Sequence, residues 1–501
     1  MSTALVKNMM VLNCTGGIEG KHMTKRRKDE ISIKFVSNSA IDVTGSAVMV
    51  SYKNNDYLLD FGAVQGFDKS IEKEYITNYQ YSHNLNINNL KCILLSHQNY
   101  DHCGLIPALC KRGYASEIAG TYEALEFAKK ILFDSSYIIN KNYEALKSKR
   151  NKIEPLYKES DVTQATYQMR SYELNRVYKF DDYMSFMLVP TNHLTGSCQI
   201  VMWIRKESGK VVKIHFTGDL GNDINYDFNR FLWKEEIVPS SNIVISECTY
   251  FGNDNTHSKK DCIEERKLMK SEILKTLKNN GKIVIPCFSM QRSQQMLHEL
   301  YKMFGEDEDF NYSVIIDGKL TNDINNTFKK VLQGEDLEYF NNMLSWKNVR
   351  TIREYKETIA CMSTRQPMIV LCSSGMGISG HSVEWIKSCI DCSRDKIFIC
   401  GYVPEGSNLD KLYKKEQKTI TWDKRTYQIR CEVLKFNTFS SHKSANGIIN
   451  MMKQINTGMI IYHHGSKTAK ENAVKRTVEE LRKIGKTTKV LSSYKGMEIK
   501  L

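Results

Sequence analysis

The segment His97-Gln98-Asn99-Tyr100-Asp101-His102 sets two imidazoles and a carboxylate within six residues of one another. It follows KCILLS, an apolar run that reads as a buried strand breaking into a polar loop. Three potential ligands on one short turn can converge on a cation without long side-chain reach. Imidazole nitrogen and carboxylate oxygen suit Zn²⁺ and similar borderline metals. Further candidates stand just past other apolar runs: His193 in TNHLTGS, Asp219 in FTGD, His442 in FSSH and His464 in YHHG. Taken singly, each is more often a satisfied polar residue than a ligand. Five of the 12 histidines in one ordered series of strand ends are hard to obtain by chance.

The elements that must position them come in two styles. From Ile31 to Phe61, ISIKFVS, SAVMVSY and DYLLDFG are short and broken by turn residues, which predicts antiparallel strands. A mainly helical stretch is expected from about 105 to 178, including TYEALEFAKKILFDSSYI, before strands resume with MSFMLVPTNH, QIVMWIR, VVKIHFTGD and NIVISE. This order predicts a sheet-on-sheet core flanked by helices. After about 250, GKIVIPCF, YSVIIDG, PMIVLCSSG and KIFICGY alternate with segments of helical period, which predicts a parallel, doubly wound sheet. The first style returns from about 421. The fold class expected is therefore α/β, with one domain inserted into another: a basic arm at 1–30, a first domain at 31–248 and 421–501, and an insert at 249–420.

With 71 Lys+Arg against 57 Asp+Glu, the net charge of +14 favours a polyanionic partner without identifying its sequence. The run Lys21-His22-Met23-Thr24-Lys25-Arg26-Arg27-Lys28 reads as a solvated arm able to touch a nucleic-acid backbone. The start lacks the basic segment and unbroken apolar core of a secretory signal, and no apolar run approaches the ~18–20 residues that span a bilayer. The 14 cysteines are scattered; Cys389 and Cys392 form one C-x-x-C pair, expected to be packed thiols rather than half of a zinc knuckle. A cytoplasmic location, with no membrane partner, is the expectation.

The order Asp60, His97 to His102, His193, Asp219 resembles the first four motifs of metallo-β-lactamase-fold hydrolases. Glu247 in SECTYFG, His442 in FSSH and His464 in HHG are similar to motifs A, B and C of the β-CASP nucleases, and PCFSMQRSQQMLHEL, LCSSGMGISGHS and ICGYVPEGS support the match within the insert. The resemblance covers about 31–501. It implies an αββα metallo-β-lactamase sandwich with an inserted doubly wound β-CASP domain, and a ribonuclease cutting internally or from the 5′ end in a cleft between the two. The same resemblance implies a dinuclear zinc site. One metal would take His97, the residue at position 99, His193 and Asp219; the other would take Asp101, His102, His464 and the bridging Asp219. Asp60 would orient the ligand loop through hydrogen bonds. His442 would give a proton to the leaving sugar oxygen, with Glu247 orienting it and raising its pKa. Single-stranded RNA is implied over DNA by the histidine of motif C, where the DNA-directed branch carries valine. A homo-oligomer or a protein complex is compatible with the same family.

The family pattern H-x-H-x-D-H is broken here, because its second histidine is Asn99. An amide oxygen is a poorer zinc ligand than an imidazole nitrogen. Three outcomes stay open: two metals with one labile site suited to Mn²⁺, one secure Zn²⁺ alone, or an inactive RNA-binding or scaffold relative. Arg292 and Ser293, opening a helix after PCFSMQ, resemble the family's phosphate-facing position. The backbone amides of the Ser373–Gly377 loop are weaker candidates for a phosphate seat, and His257, His381 and His463, near the motif residues, read as structural or as supports behind the site.

Overall fold

In the strand Ile31–Phe35, residues Ile31, Ile33 and Phe35 share one face, and the antiparallel register sets Ile33 beside Val50 and Phe35 beside Val48. The computed structural model describes residues 29–40, 42–66, 71–147, 154–222, 224, 229–252 and 256–501. The basic run at 21–28 lies outside the described residues.

That strand belongs to a seven-stranded sheet in the order Glu498–Lys500, Ile31–Phe35, Val48–Tyr52, Asn55–Leu59, Leu90–Leu94, Glu117–Gly120, Met169–Ser171. A second sheet of seven runs Lys489–Ser492, Asn456–His463, Ser240–Glu247, Val211–Phe216, Cys198–Arg205, Met184–Pro190, Tyr178–Lys179. Period-two patterning decides how they stack. Val48, Val50, Tyr57, Leu59, Cys92 and Leu94 of the first sheet meet Phe186, Leu188, Ile200, Ile214 and Ile245 of the second in one buried cluster. The alternate residues Met49, Leu58 and Ile93 face the helices Ile106–Lys111, Tyr122–Lys147 and Glu159–Gln168, and Val244, Ile460 and Tyr462 face Ala445–Gln454 and Lys467–Lys483. The result is the expected αββα sandwich. Within the segment expected to be mainly helical, two short strands, Glu117–Gly120 and Met169–Ser171, extend the first sheet.

The insert is a six-stranded parallel sheet in the order Val349–Ile352, Ser313–Asp317, Met368–Cys372, Lys282–Pro286, Lys396–Ile399, Glu432–Lys435. Both faces are covered: Ile283, Ile285, Ile369 and Leu371 pack in one cluster, Val284, Met368 and Val370 in the opposite one. A doubly wound layer needs this near-continuous apolar pattern. Glu432–Lys435, beyond the expected boundary at 420/421, pairs in parallel with Lys396–Ile399. Preceding it, Thr419–Trp422 and Arg425–Gln428 form a separate hairpin, with Ile420 and Trp422 buried against the insert. Farther along, Asn456–His463 and Lys489–Ser492 join the second sheet and Glu498–Lys500 the first.

The two bodies are packed together. Phe127 of the sandwich meets Phe328 of the insert with ring centroids 4.8 Å apart, and Lys330 stands 3.5 Å from Glu126. Among the described residues, no helix is long and apolar enough to cross a membrane.

Candidate metal centre

Strands Val211–Phe216, Ser240–Glu247 and Asn456–His463 run in parallel, so their C-terminal ends share one rim of the second sheet. Asp219, Glu247 and His464 stand at those ends. Met184–Pro190 is antiparallel to Cys198–Arg205, which is antiparallel to Val211–Phe216, so His193 reaches the same rim. From the first sheet, Asn55–Leu59 and Leu90–Leu94 run in parallel and deliver Asp60 and the 97–102 loop. Backbone contact locks that loop in place. Ser46 and Phe61 donate their N–H groups to the carbonyls of Asp101 and His102 at 2.7 and 2.8 Å. A Cβ on Gly62 would fall 1.5 Å from the Asp101 carbonyl oxygen, an approach open only to glycine.

Three donor groups result: His97, His193 and Asp219; Asp101, His102 and His464; and Asp219, Glu247 and His442. Within each, the ligand atoms lie within 4.8 Å of one another. Asp219 joins them. Its Oδ2 is 3.7 Å from Nε2 of His97, 3.7 Å from Nε2 of His193 and 3.4 Å from Nε2 of His102, and its Oδ1 is 3.4 Å from Nδ1 of His464. His464 Nε2 is in turn 3.5 Å from Asp101 Oδ2. These residues could hold a cation, and the chemistry fits one. The Nε2 atoms of His97 and His193 and Oδ1 of Asp219 are buried without a hydrogen-bond partner, a costly state for polar atoms that a metal ion resolves. Burial pushes the His97 imidazole well below its ordinary pKa and His193 down to about 4, which keeps both neutral as ligands. At His102 burial also acts downward, but Asp219, Asp60 and Asp101 outweigh it and favour positive charge there.

Asp60 supports this arrangement from beneath. It sits at φ 56°, a left-handed conformation that costs a non-glycine residue free energy, and its carboxylate explains the retention. It accepts from Ser96 N–H at 2.7 Å and Ser96 Oγ at 2.8 Å, and Oδ2 lies 2.7 Å from Nδ1 of His102. The outer nitrogen of His102 is thereby fixed, leaving Nε2 directed at Asp219.

Beside the cluster, Nδ1 of His442 lies 3.2 Å from Oε1 of Glu247, an oxygen that also accepts the Leu220 N–H at 2.7 Å. The imidazole side chain is 22% exposed while Glu247 is fully buried, so the pair meets solvent on the side of His442. Burial pushes the His442 imidazole down; Glu247 and then Asp219 push it further up, to about 10. Glu247 is held below the usual carboxylate range, where burial opposes and His442 prevails.

Every residue singled out at the strand ends thus reaches one rim. Asn99 caps the helix Tyr100–Cys103 through its backbone, its carbonyl accepting from His102 and Cys103, while its side chain makes no capping bond. Arg292 is buried and donates to Gln295 Oε1 at 2.5 Å and to Ser441 Oγ at 2.9 Å, which brings the insert against the residue before His442. Ser293 is not brought there: its hydroxyl donates to the Phe288 carbonyl at 2.9 Å. The Ser373–Gly377 loop turns onto itself, Gly377 N–H donating to Ser374 O and Ser374 N–H to Ser379 O. His463 is buried between Phe35 and Phe216, and His381 is bound to Asp317. Cys389 is buried, and burial pushes its thiol up, in keeping with a packing role.

Several supporting residues carry no signal of their own in the sequence. Gln98 donates to Thr195 O at 3.1 Å and ties the His97 loop to the His193 loop. Tyr250 accepts from Ser440 Oγ at 2.7 Å and sets its ring edge-on to His442. The buried Arg266 pairs with Glu299 at 2.7 Å and lies over the Phe439 ring.

The metallo-beta-lactamase superfamily matches residues 41–231, the Beta-Casp domain 293–412, and the Zn-dependent metallo-hydrolase RNA specificity domain 426–488. Transcription termination factor FttA of Lokiarchaeum is 25% identical over 469 residues, covering 90% of this chain and 69% of its own. Integrator complex subunit 11 of Danio rerio is 24% identical over 445 residues (85% and 67%). Ribonuclease TTHA0252 of Thermus thermophilus is 23% identical over 377 residues (74% and 78%). Among solved structures, a protein of unknown function from Enterococcus faecalis superposes over 94% of this chain and 100% of its own with a TM-score of 0.52 at 13% identity, a likeness of fold.

Proposed function

Because this chain belongs to the β-CASP family of metallo-β-lactamase-fold proteins, we propose that it is a metal-dependent ribonuclease hydrolysing RNA phosphodiester bonds in the cleft between its two domains. The observation that carries this reading is the two histidine-rich donor groups, joined through the distances of Asp219 to His102 and His464, with the His442–Glu247 pair at their edge. The match to an RNA specificity domain and the ribonuclease among the relatives support RNA as the substrate. We divide the chain accordingly: the sandwich is formed by 31–248 and the segment after Phe436, and the insert lies between them.

Zinc would be held by His97, His193 and Asp219 on one side and by Asp101, His102, His464 and Asp219 on the other. When bound, it supplies Lewis-acid polarisation of a phosphoryl oxygen and acidifies a water molecule. Asn99 does not remove the first site. Two imidazoles and a carboxylate are the three protein ligands of an open catalytic zinc, so His97, His193 and Asp219 suffice. Two ions per chain are therefore proposed, the first bound more weakly than the second.

The chain's own groups do the rest. Asp60 fixes the tautomer of His102, and Asp219 aligns four imidazoles. His442 keeps its proton at neutral pH because Glu247 faces Nδ1, and its Nε2 is left to give a proton to the departing sugar oxygen. Arg292 donates to Gln295 and Ser441, both uncharged, so its positive charge remains for a substrate phosphate. The test is cleavage of labelled single-stranded RNA with added Zn²⁺ or Mn²⁺ by the wild type and by Asp101→Ala. Equal degradation by both proteins would defeat the reading.

A further inference from the structure

Next to His442 lies a buried cation that the proposed chemistry does not use. Lys443 is 3% exposed, and its Nζ stands 3.0 Å from Oε1 of Glu235, whose side chain is 8% exposed. Removing both charges from water is expensive, and a buried pair frequently adds no net stability over apolar residues of like size. Its location suggests what it does instead. Residues 441–443 are laced to the segment that follows Asp219: Asn222 N–H donates to Ser441 O at 3.3 Å, Lys443 N–H to Leu220 O at 2.9 Å, and His442 bridges Gly221 in antiparallel fashion. In such an extended stretch successive side chains point to opposite sides. His442 therefore turns to Glu247 and the cleft, while Lys443 turns inward to Glu235. The other oxygen of Glu235 accepts from Thr191 Oγ1 at 3.5 Å, two residues before His193. Thr191 Oγ1 also lies 3.4 Å from the Asp219 carbonyl oxygen.

We propose that the Lys443–Glu235 ion pair is a positioning device that sets His442 against the His193 and Asp219 loops for proton delivery. The inference rests on the ribonuclease reading. Lys443 and Glu235 touch no reacting atom; they act through the backbone of residue 442. Replacing the pair together by apolar side chains removes the tether without leaving either member of the pair charged and facing an apolar side chain, and zinc content and melting temperature report on the metal ligands and the fold.

The experiment compares wild type, Lys443→Arg and the double variant Lys443→Met/Glu235→Met on single-stranded RNA. For each, kcat, KM, zinc per chain and melting temperature are measured. The double variant is expected to keep zinc per chain and KM within about twofold of wild type while kcat falls at least about tenfold; Lys443→Arg, which can still pair, is expected to retain most of kcat. A double variant turning over at the wild-type kcat would overturn the proposal. Zinc lost in parallel with kcat would also overturn it, since the pair would then serve the metal loops. A wild type without RNA cleavage would instead strike the ribonuclease reading, so the two failures are told apart.

Discussion

Nδ1 of His442 stands 3.2 Å from Oε1 of Glu247, although 195 residues separate the two in the chain. With the carboxylate on one side, the imidazole is charged at neutral pH and its pKa is pushed up to about 10 against the effect of burial. A general acid must carry its proton at the operating pH. The kcat profile is therefore expected to hold through neutrality and to fall as pH rises toward about 10. In Glu247→Gln the alkaline fall should begin at lower pH, and kcat at pH 7 should drop about 100-fold with KM little changed. A pH–rate profile checks both, and an unmoved alkaline limb would contradict the role of Glu247.

Restoring an imidazole at position 99 bears on the weaker metal site. Asn99→His is expected to raise occupancy of the position formed by His97, His193 and Asp219, read as ions per chain by elemental analysis after dialysis against a weak chelator. Unchanged occupancy would mean that the three existing donors already fill the site.

The chemistry of this site is legible in the sequence because metal ligands are few in kind and must sit where strands end. His97, Asp101, His102, His193, Asp219 and His464, proposed here as ligands, all stand past strand ends, and Asn99 stands out against that pattern. The two-body architecture is legible from strand style, alternating in the sandwich and continuously apolar in the insert. What is hidden depends on partners far along the chain. EVLK at 432–435 has a pattern that fits either sheet, and only its pairing with Lys396–Ile399 assigns it to the insert. Glu117–Gly120 is too short to interrupt a helical reading. Nothing in the residues near Lys443 announces Glu235, and nothing near Ser293 announces the hydrogen bond that its hydroxyl donates to the Phe288 carbonyl.

Asp60 bonds Ser96 and the far ring nitrogen of His102 but offers no atom of its own to either donor group, so its replacement should weaken the metal without abolishing it. Asp60→Asn is expected to reduce zinc affinity about 10- to 100-fold, measured by competition with a chromophoric chelator. Asp219→Asn should cost far more, since that carboxylate serves both groups. Equal affinities for the two variants would contradict the assignment of Asp219 as the shared ligand.

Within the insert, Asp317 accepts from Trp385 Nε1 at 2.7 Å and Thr358 Oγ1 at 3.0 Å and lies 2.7 Å from Nδ1 of His381. The hydrogen bond to Asp317 raises the His381 pKa, with burial opposing it. A histidine whose folded-state pKa is raised lends stability that is full below its unfolded value of about 6.5 and is lost as pH rises through the folded one. His381→Gln should therefore destabilise the protein more at pH 5.5 than at pH 9 in urea unfolding. An equal loss at both pH values would contradict this coupling.

The most direct test of the central claim is a zinc titration of chelator-stripped protein, read as cleavage of labelled single-stranded RNA. Cleavage is predicted to vanish on stripping, to return as Zn²⁺ is added back, and to stay absent in Asp219→Asn at every zinc concentration. Stripped wild type cutting RNA at the undiminished rate, or Asp219→Asn recovering with the wild type, would contradict a metal-dependent nuclease built on that carboxylate.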